Sequence, residues 1–269
     1  MKKLILMAVL CSLVNAGLAQ AEAGAGELHG VIDFTFQSKY IWRGFDVYGD
    51  KSAIQPSIGL DLFGSGFGIN IMGHRANSSG YEDGERWDYT LYYGGKLFED
   101  EVYATNWRMA YVHYNYPDSS SHTTNSADLS ELNWVLSWPN IIPVKGLVPS
   151  YVIVKLWPYN SNSLANEASG WAHIFMLDYG FSVPGMLPDT EEQVVRLHTE
   201  MVYNDGVDPR PGSTGVDHDW SNIVFGIETD FDLGNNLSFT PGLYCQVSMD
   251  DSVNDEDETW VNLSLKYKF

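Results

Sequence analysis

The chain of 269 residues is poor in cysteine, in basic residues and in long apolar runs, and each shortage closes off a class of protein. It holds two cysteines, Cys11 and Cys245. Cys11 lies in an N-terminal segment expected to be removed, so one thiol remains and no internal disulfide can form. The fold must therefore hold without a covalent staple, even where the compartment would permit one. Lysine and arginine total 15 against 35 aspartates and glutamates, a net charge of −20. Bulk charge of that sign excludes nucleic acid and anionic lipid as electrostatic partners. The run Leu4–Val14 is too short to span a bilayer as a helix, and no later stretch approaches that length. There is no Gly-x-Ser-x-Gly element and no His-x-x-x-His spacing. The acidic stretch Asp250–Glu258 lacks the central glycine of an EF-hand.

What is present begins with an export signal. Lys2 and Lys3 precede the apolar run, and Ala19-Gln20-Ala21 is a small-x-small cleavage site. Cleavage is expected after Ala21, leaving residues 22–269 as one domain. The removed segment carries two lysines and no acid, so the net charge deepens from −20 to −22.

The last nine residues alternate strictly. Val261, Leu263, Leu265, Tyr267 and Phe269 take one set of positions, and Asn262, Ser264, Lys266 and Lys268 the other. A strand points successive side chains to opposite faces, so this is an apolar face backed by a polar one. A strand of this kind closing on phenylalanine has the form of the C-terminal assembly signal of outer-membrane barrels. About twelve segments alternate in the same way: 28–46, 53–63, 67–76, 86–97, 101–116, 129–138, 148–159, 170–183, 193–204, 220–232, 237–249 and the C-terminal strand. The first sets Ile32, Phe34, Phe36, Tyr40 and Trp42 against Asp33, Thr35, Gln37, Lys39 and Arg43. The seventh, 148–159, is apolar on both faces. Connections after even-numbered segments are mostly short, and those after odd-numbered ones are mostly longer and polar. This predicts an all-β fold: a transmembrane antiparallel β-barrel of about twelve strands with short periplasmic turns and long extracellular loops. The aromatic content of 14%, with 9 Trp and 16 Tyr, suits girdles at both membrane interfaces.

With the apolar faces outward, the lumen receives Asp33, Lys39, Arg43, Asp61, Asp88, Arg108, Glu131, Lys155, Arg196, Glu200 and Glu228, which are the expected pore-lining residues. Separated acids and bases in a narrow pore would select small polar solutes by field and size. The same charges could instead pair across the lumen and plug it. Arg43, next to Gly44, could hold an anionic group or form a structural pair with an inward acid. Lys39 has the same two readings. Arg108, Lys155 and Arg196 could continue a basic track, or be bridged to acids such as Glu131 or Glu200. The acidic stretch Asp250–Glu258 reads as a solvated loop, with divalent-cation binding as the alternative. Catalysis has weak support, because neither His113 nor His173, both on aromatic faces, has an obvious serine partner.

Gln37-Ser38-Lys39-Tyr40-Ile41-Trp42-Arg43-Gly44, followed by Ile54-Gln55-Pro56-Ser57 and Gly59-Leu60-Asp61, resembles the TorF-like porin family of outer-membrane barrels. The resemblance implies an outer-membrane channel; it names no substrate and no catalytic residue. The expectation is a monomeric channel in the outer membrane of a Gram-negative cell for passive diffusion of small hydrophilic solutes. It would be surrounded by lipid and lipopolysaccharide and delivered to the barrel-assembly machinery through Phe269. No enzyme activity, cofactor or metal is expected. The alternative is a plugged structural or adhesive barrel, with an outer-membrane lipase or protease behind it.

Overall fold

The structure, a computed structural model, describes residues 26–119, 127–159, 168–187, 190–210, 213 and 215–269. The expected signal segment and its cleavage site lie outside the described residues.

The chain runs β1 (His29–Gln37), β2 (Ile41–Trp42), β3 (Phe45–Asp46), β4 (Ala53–Asp61), β5 (Phe67–Ala76), β6 (Arg86–Leu97), β7 (Thr105–Asn115) and β8 (Leu129–Ser137). It continues through β9 (Leu147–Pro158), β10 (Gly170–Pro184), β11 (Glu192–Asp205), β12 (Asp219–Thr229), β13 (Phe231–Gly234), β14 (Leu237–Ser248) and β15 (Glu258–Lys268). β12 and β13 both pair with β14 and form one strand interrupted at Asp230. β2 and β3 pair only with each other. The remaining strands make a barrel of twelve antiparallel staves, as the alternation predicts. β1 pairs with β4 on one side and with β15 on the other, so the sheet closes and leaves no edge. Closure matters physically because hydrocarbon offers no partner to an unpaired N–H or C=O.

Side-chain alternation decides which surface meets lipid. Ile32, Phe34, Leu91, Leu132, Phe225, Leu243, Leu263 and Leu265 point outward and are exposed. Outward aromatics collect near both ends. Phe67, Tyr93 and Trp107 make tilted and edge-on ring contacts in series at the turn end, and Phe175, Trp220 and Tyr203 do so at the loop end. The C-terminal strand behaves as its alternation implies, with Val261, Leu263, Leu265, Tyr267 and Phe269 all exposed.

Two expectations are corrected. The first strand ends at Gln37, not near Asp46. Tyr40 and Trp42 keep the parity of the lipid face, yet each is 1% exposed inside the barrel. The chain leaves the wall at Ser38, whose N–H donates to the Val261 carbonyl at 2.9 Å while its Oγ accepts from the Val261 N–H at 2.9 Å. From there segment 38–52 turns inward. Lys155 is the second correction. On β9 the buried positions are Val148, Ser150, Val152, Val154 and Leu156, so Lys155 faces outward and its Nζ sits 5.3 Å from the Trp171 ring. With both faces of β9 apolar, alternation alone had no basis for choosing between them.

Candidate functional site: the lumen and its inward hairpin

Segment 38–52 forms a small hairpin within the barrel. β2 and β3 pair Ile41 with Asp46 and Trp42 with Phe45, leaving Arg43 and Gly44 as a two-residue turn. Both have positive φ, 51° for Arg43 and 95° for Gly44, as tight hairpin turns require. Glycine adopts that conformation freely, whereas arginine gives up about 1–2 kcal/mol there. A side chain at Gly44 would also collide, since a Cβ would lie 2.7 Å from Asn222 Oδ1 and 2.9 Å from Val253 Cγ1.

The turn is fastened to two walls. Arg43 Nη2 donates to Glu131 Oε2 of β8 at 2.7 Å. Glu131, fully buried, also accepts from the Tyr114 hydroxyl at 2.8 Å and from Asn133 Nδ2 at 2.8 Å. The Gly44 carbonyl accepts from Gln246 Nε2 of β14 at 3.0 Å and from Asn254 Nδ2 at 3.2 Å. β8 and β14 are well separated around the ring, so the hairpin crosses the lumen.

Its aromatic side chains fill the loop-end half. Tyr40, Trp42, Phe45 and Tyr48 form one buried cluster with inward Val112, Val135, Val152, Val154, Leu156, Ile174 and Met176. Burying each large side chain contributes about 1.5–3 kcal/mol. The Trp42 ring meets Tyr114 edge-on and lies 4.7 Å from both the Arg43 and the Arg86 guanidinium carbons. Arg86 donates to the Tyr40 hydroxyl at 2.9 Å and pairs with Asp88 at 2.9 Å. Asp88 in turn contacts His74 Nε2 at 2.9 Å, and His74 Nδ1 contacts Gln55 Nε2 at 2.9 Å. The Tyr48 hydroxyl donates to the His74 carbonyl at 3.0 Å.

Further contacts cover the hairpin from the loop end. Asp208, fully buried, accepts from Arg210 at 2.8 Å and 3.0 Å, and the Arg210 guanidinium carbon lies 4.9 Å from the Phe45 ring. Burial alone would raise the Asp208 carboxyl, but hydrogen bonds from Arg210 and Ser213 outweigh it and hold the group below the usual carboxylate range. Asp46, Asp50 and Glu258 gather carboxylate oxygens within 4.8 Å of one another. Lys39 Nζ bonds to two of these, Asp50 and Glu258, and so supplies the cation that cluster needs. Those two bonds hold the Lys39 ammonium above the usual lysine range. The Asp250–Glu258 stretch, read as a solvated loop, packs against the hairpin through buried Val253 and through Asn254.

The turn-end half is polar. Arg196 Nε donates to Glu228 at 2.8 Å, and its two terminal nitrogens donate to Asp230, each at 2.8 Å. His198 Nδ1 contacts Asp178 at 2.7 Å. Asp33 accepts from Thr35 at 2.8 Å and Ser264 at 2.9 Å. Arg108 faces inward from β7 with Tyr92 beside it.

Of the eleven residues expected to line the lumen, Asp33, Arg43, Asp88, Arg108, Glu131, Arg196, Glu200 and Glu228 lie on its inner side. Lys39 is at its loop-end rim, and Asp61 accepts from the Gly64 N–H at 2.8 Å, capping a turn. Lys155 lies outside. The structure joins Arg43 to Glu131 and Arg196 to Glu228, and among the described residues it forms no continuous basic track. Sequence reading missed Tyr40, Trp42, Phe45 and Tyr48 as lumen filling, and Arg86 as their anchor. The cue was Arg43-Gly44 between Trp42 and Phe45, a glycine turn flanked by apolar residues.

No protein-family profile and no curated protein matches this chain. Solved structures do. The NanC porin superposes with a TM-score of 0.52 at 9% identity, covering 88% of this chain and 100% of that one. The COG4313 outer membrane channel from Pseudomonas putida F1 superposes with a TM-score of 0.51 at 10% identity, covering 91% and 96%. The fold is that of an outer-membrane β-barrel. At such identities the likeness is one of architecture, and the lumen must speak for the function.

Proposed function

We propose that this protein is a porin-like outer-membrane channel for passive diffusion of small hydrophilic solutes, with segment 38–52 as the gate of its loop-end mouth. The observation that carries the reading is the way the hairpin is held. A strained Arg43-Gly44 turn spans the lumen above a polar half-barrel and is pinned at its tip by the Arg43–Glu131 pair and the hydrogen bonds to the Gly44 carbonyl. Such a contact can break without disturbing the wall, whose strands are bonded to one another. Of the residues that resemble the TorF-like porins, Gln37 to Gly44 run from the end of β1 into this hairpin, and Ile54 to Ser57 and Gly59 to Asp61 lie on the neighbouring β4. In the same reading the barrel is a monomer in lipid and lipopolysaccharide, and its C-terminal strand is what the assembly machinery engages.

The test is single-channel conductance of refolded protein in a planar bilayer. Removing one partner of a buried ion pair costs about 3–5 kcal/mol. If half of that falls on the closed state, the open probability rises by about tenfold or more in Arg43→Ala and Glu131→Gln. The buried aromatic cluster favours a second reading, a permanently plugged barrel. Silence of the wild type and both variants, all correctly folded, would establish it and end the channel proposal.

A further inference from the structure

Three arginines project inward from the barrel wall: Arg86, Arg108 and Arg196. Arg86 is paired with Asp88, and Arg196 with Glu228 and Asp230. The hairpin's Arg43 takes Glu131. Arg108 alone of these four has no carboxylate partner among the described residues. It is 5% exposed, and its Nε is buried with no hydrogen-bond partner. Its one charge-related contact among the described residues is the Tyr92 ring, whose centre lies 5.5 Å from the guanidinium carbon. Glu131 cannot serve it, because that carboxylate is already shared by Arg43, Tyr114 and Asn133.

A guanidinium removed from water and left without a counter-charge is costly, and the cost falls when an anion arrives. The register gives that anion room. Arg108 lies opposite Gly94 on β6 and Val135 on β8, so its directly facing β6 position has no side chain, and from β6 the Tyr92 ring alone stands beside the guanidinium among the described residues. In the next row toward the turn end, Asn106 and Ser137 face the lumen as neutral polar groups, with Asn106 Nδ2 3.4 Å from Ser137 Oγ. A planar fork beside an amide and a hydroxyl suits a two-oxygen anionic group.

We propose that Arg108 is an anion-binding station within the lumen, taking the carboxylate or phosphate group of a small solute. Access to the site rests on the channel reading above. The proposal also locates selectivity. The net charge of −20 disfavours anions around the protein as a whole, so any preference for them must come from a site inside.

The experiment is calorimetric titration of the folded barrel in detergent at low ionic strength, with inorganic phosphate in one series and succinate in the other. Wild type is expected to bind at least one of the two. Arg108→Gln should weaken that binding about tenfold or more, and Arg108→Lys should be intermediate, keeping the charge and losing the fork. Phosphate alone, succinate alone or both would identify the group recognised. Arg108→Met guards against a folding defect, because it removes the buried charge while keeping the length. Its urea midpoint should be unmoved by phosphate or succinate, whereas that of the wild type should rise with the anion that binds. No binding by wild type, or equal binding by Arg108→Gln, overturns the proposal. Conductance separates the two claims. Binding that depends on Arg108 in a barrel silent in every variant would sink the channel and leave the anion site standing. A conducting barrel whose ion selectivity and anion binding both ignore Arg108→Gln would do the reverse.

Discussion

Arg43 carries two costs at once, a left-handed backbone and a buried charge, and both are met by the same contact. Arg43→Asn separates them. Asparagine followed by glycine is the preferred pair for this turn, so the variant relaxes the backbone while stranding Glu131. Stability should fall by about 2–4 kcal/mol, and Glu131→Gln placed on top should recover about 1–3 kcal/mol of that. A double-mutant cycle read by urea unfolding checks both figures. Titration gives a second handle at the rim. Asp208 is held below the ordinary carboxylate range, so its contribution is complete above its unfolded value of about 3.9 and fades as pH falls through the lower folded value. Lys39 is held above the lysine range, so its contribution is complete below about 10.4 and fades as pH rises through the higher folded value. Asp46 is raised by burial, so its protonation favours the folded loop and partly offsets the loss at Asp208. The rate of proteolysis within segment 38–52 should therefore stay flat across neutral pH and climb at both extremes. A steep change near pH 6–8 would contradict this assignment.

Among the elements, the staves were readable and the hairpin was not. Alternation at Val261–Phe269 or Leu237–Met249 reports its own environment, because lipid covers one side along the whole strand. Leu91, 52% exposed midway along β6, tests that face. Leu91→Arg should cost about 2–4 kcal/mol in lipid bilayers. Lys155→Gln, at an outward position near the loop end, should stay within about 0.5 kcal/mol. Equilibrium unfolding from vesicles measures both, and a large loss at Lys155 would mean that it faces the lumen after all. The parity of Tyr40 and Trp42 continues that of Ile32, Phe34 and Phe36, so periodicity extends β1 through a segment that has already left the wall. β9 misleads for a related reason. Its inner Val148, Val152, Val154 and Leu156 are apolar because the lumen there is packed, and no rule of alternation carries that information.

At the scale of the whole molecule, closure depends on one seam. β1 and β15 pair over Val31–Gln37 and Lys268–Asn262, and Gly30 exchanges backbone hydrogen bonds with Phe269 at 2.8 Å and 3.0 Å. The Phe269 ring lies over Gly30 so closely that a Cβ there would meet it at 2.4 Å. Gly30→Val should therefore weaken the seam by about 1–3 kcal/mol, seen as a lower temperature for loss of the compact band on an unheated gel. An unchanged transition would show that the terminal ring does not bear on closure. The sequence by itself determined the strand count, the alternation of long and short connections and the lipid-facing side of most staves, because each of these is a local pattern enforced by a uniform solvent. It also identified many of the charged residues of the lumen, while misplacing Lys155 and missing Arg86. Only the tertiary structure decided which of those charges meet, that Arg43 reaches Glu131 while Arg108 reaches no carboxylate among the described residues, and that Ser38 to Gly44 crosses the lumen. Those outcomes depend on residues far apart in the chain being brought to the same height inside a closed ring, and no local pattern records that height.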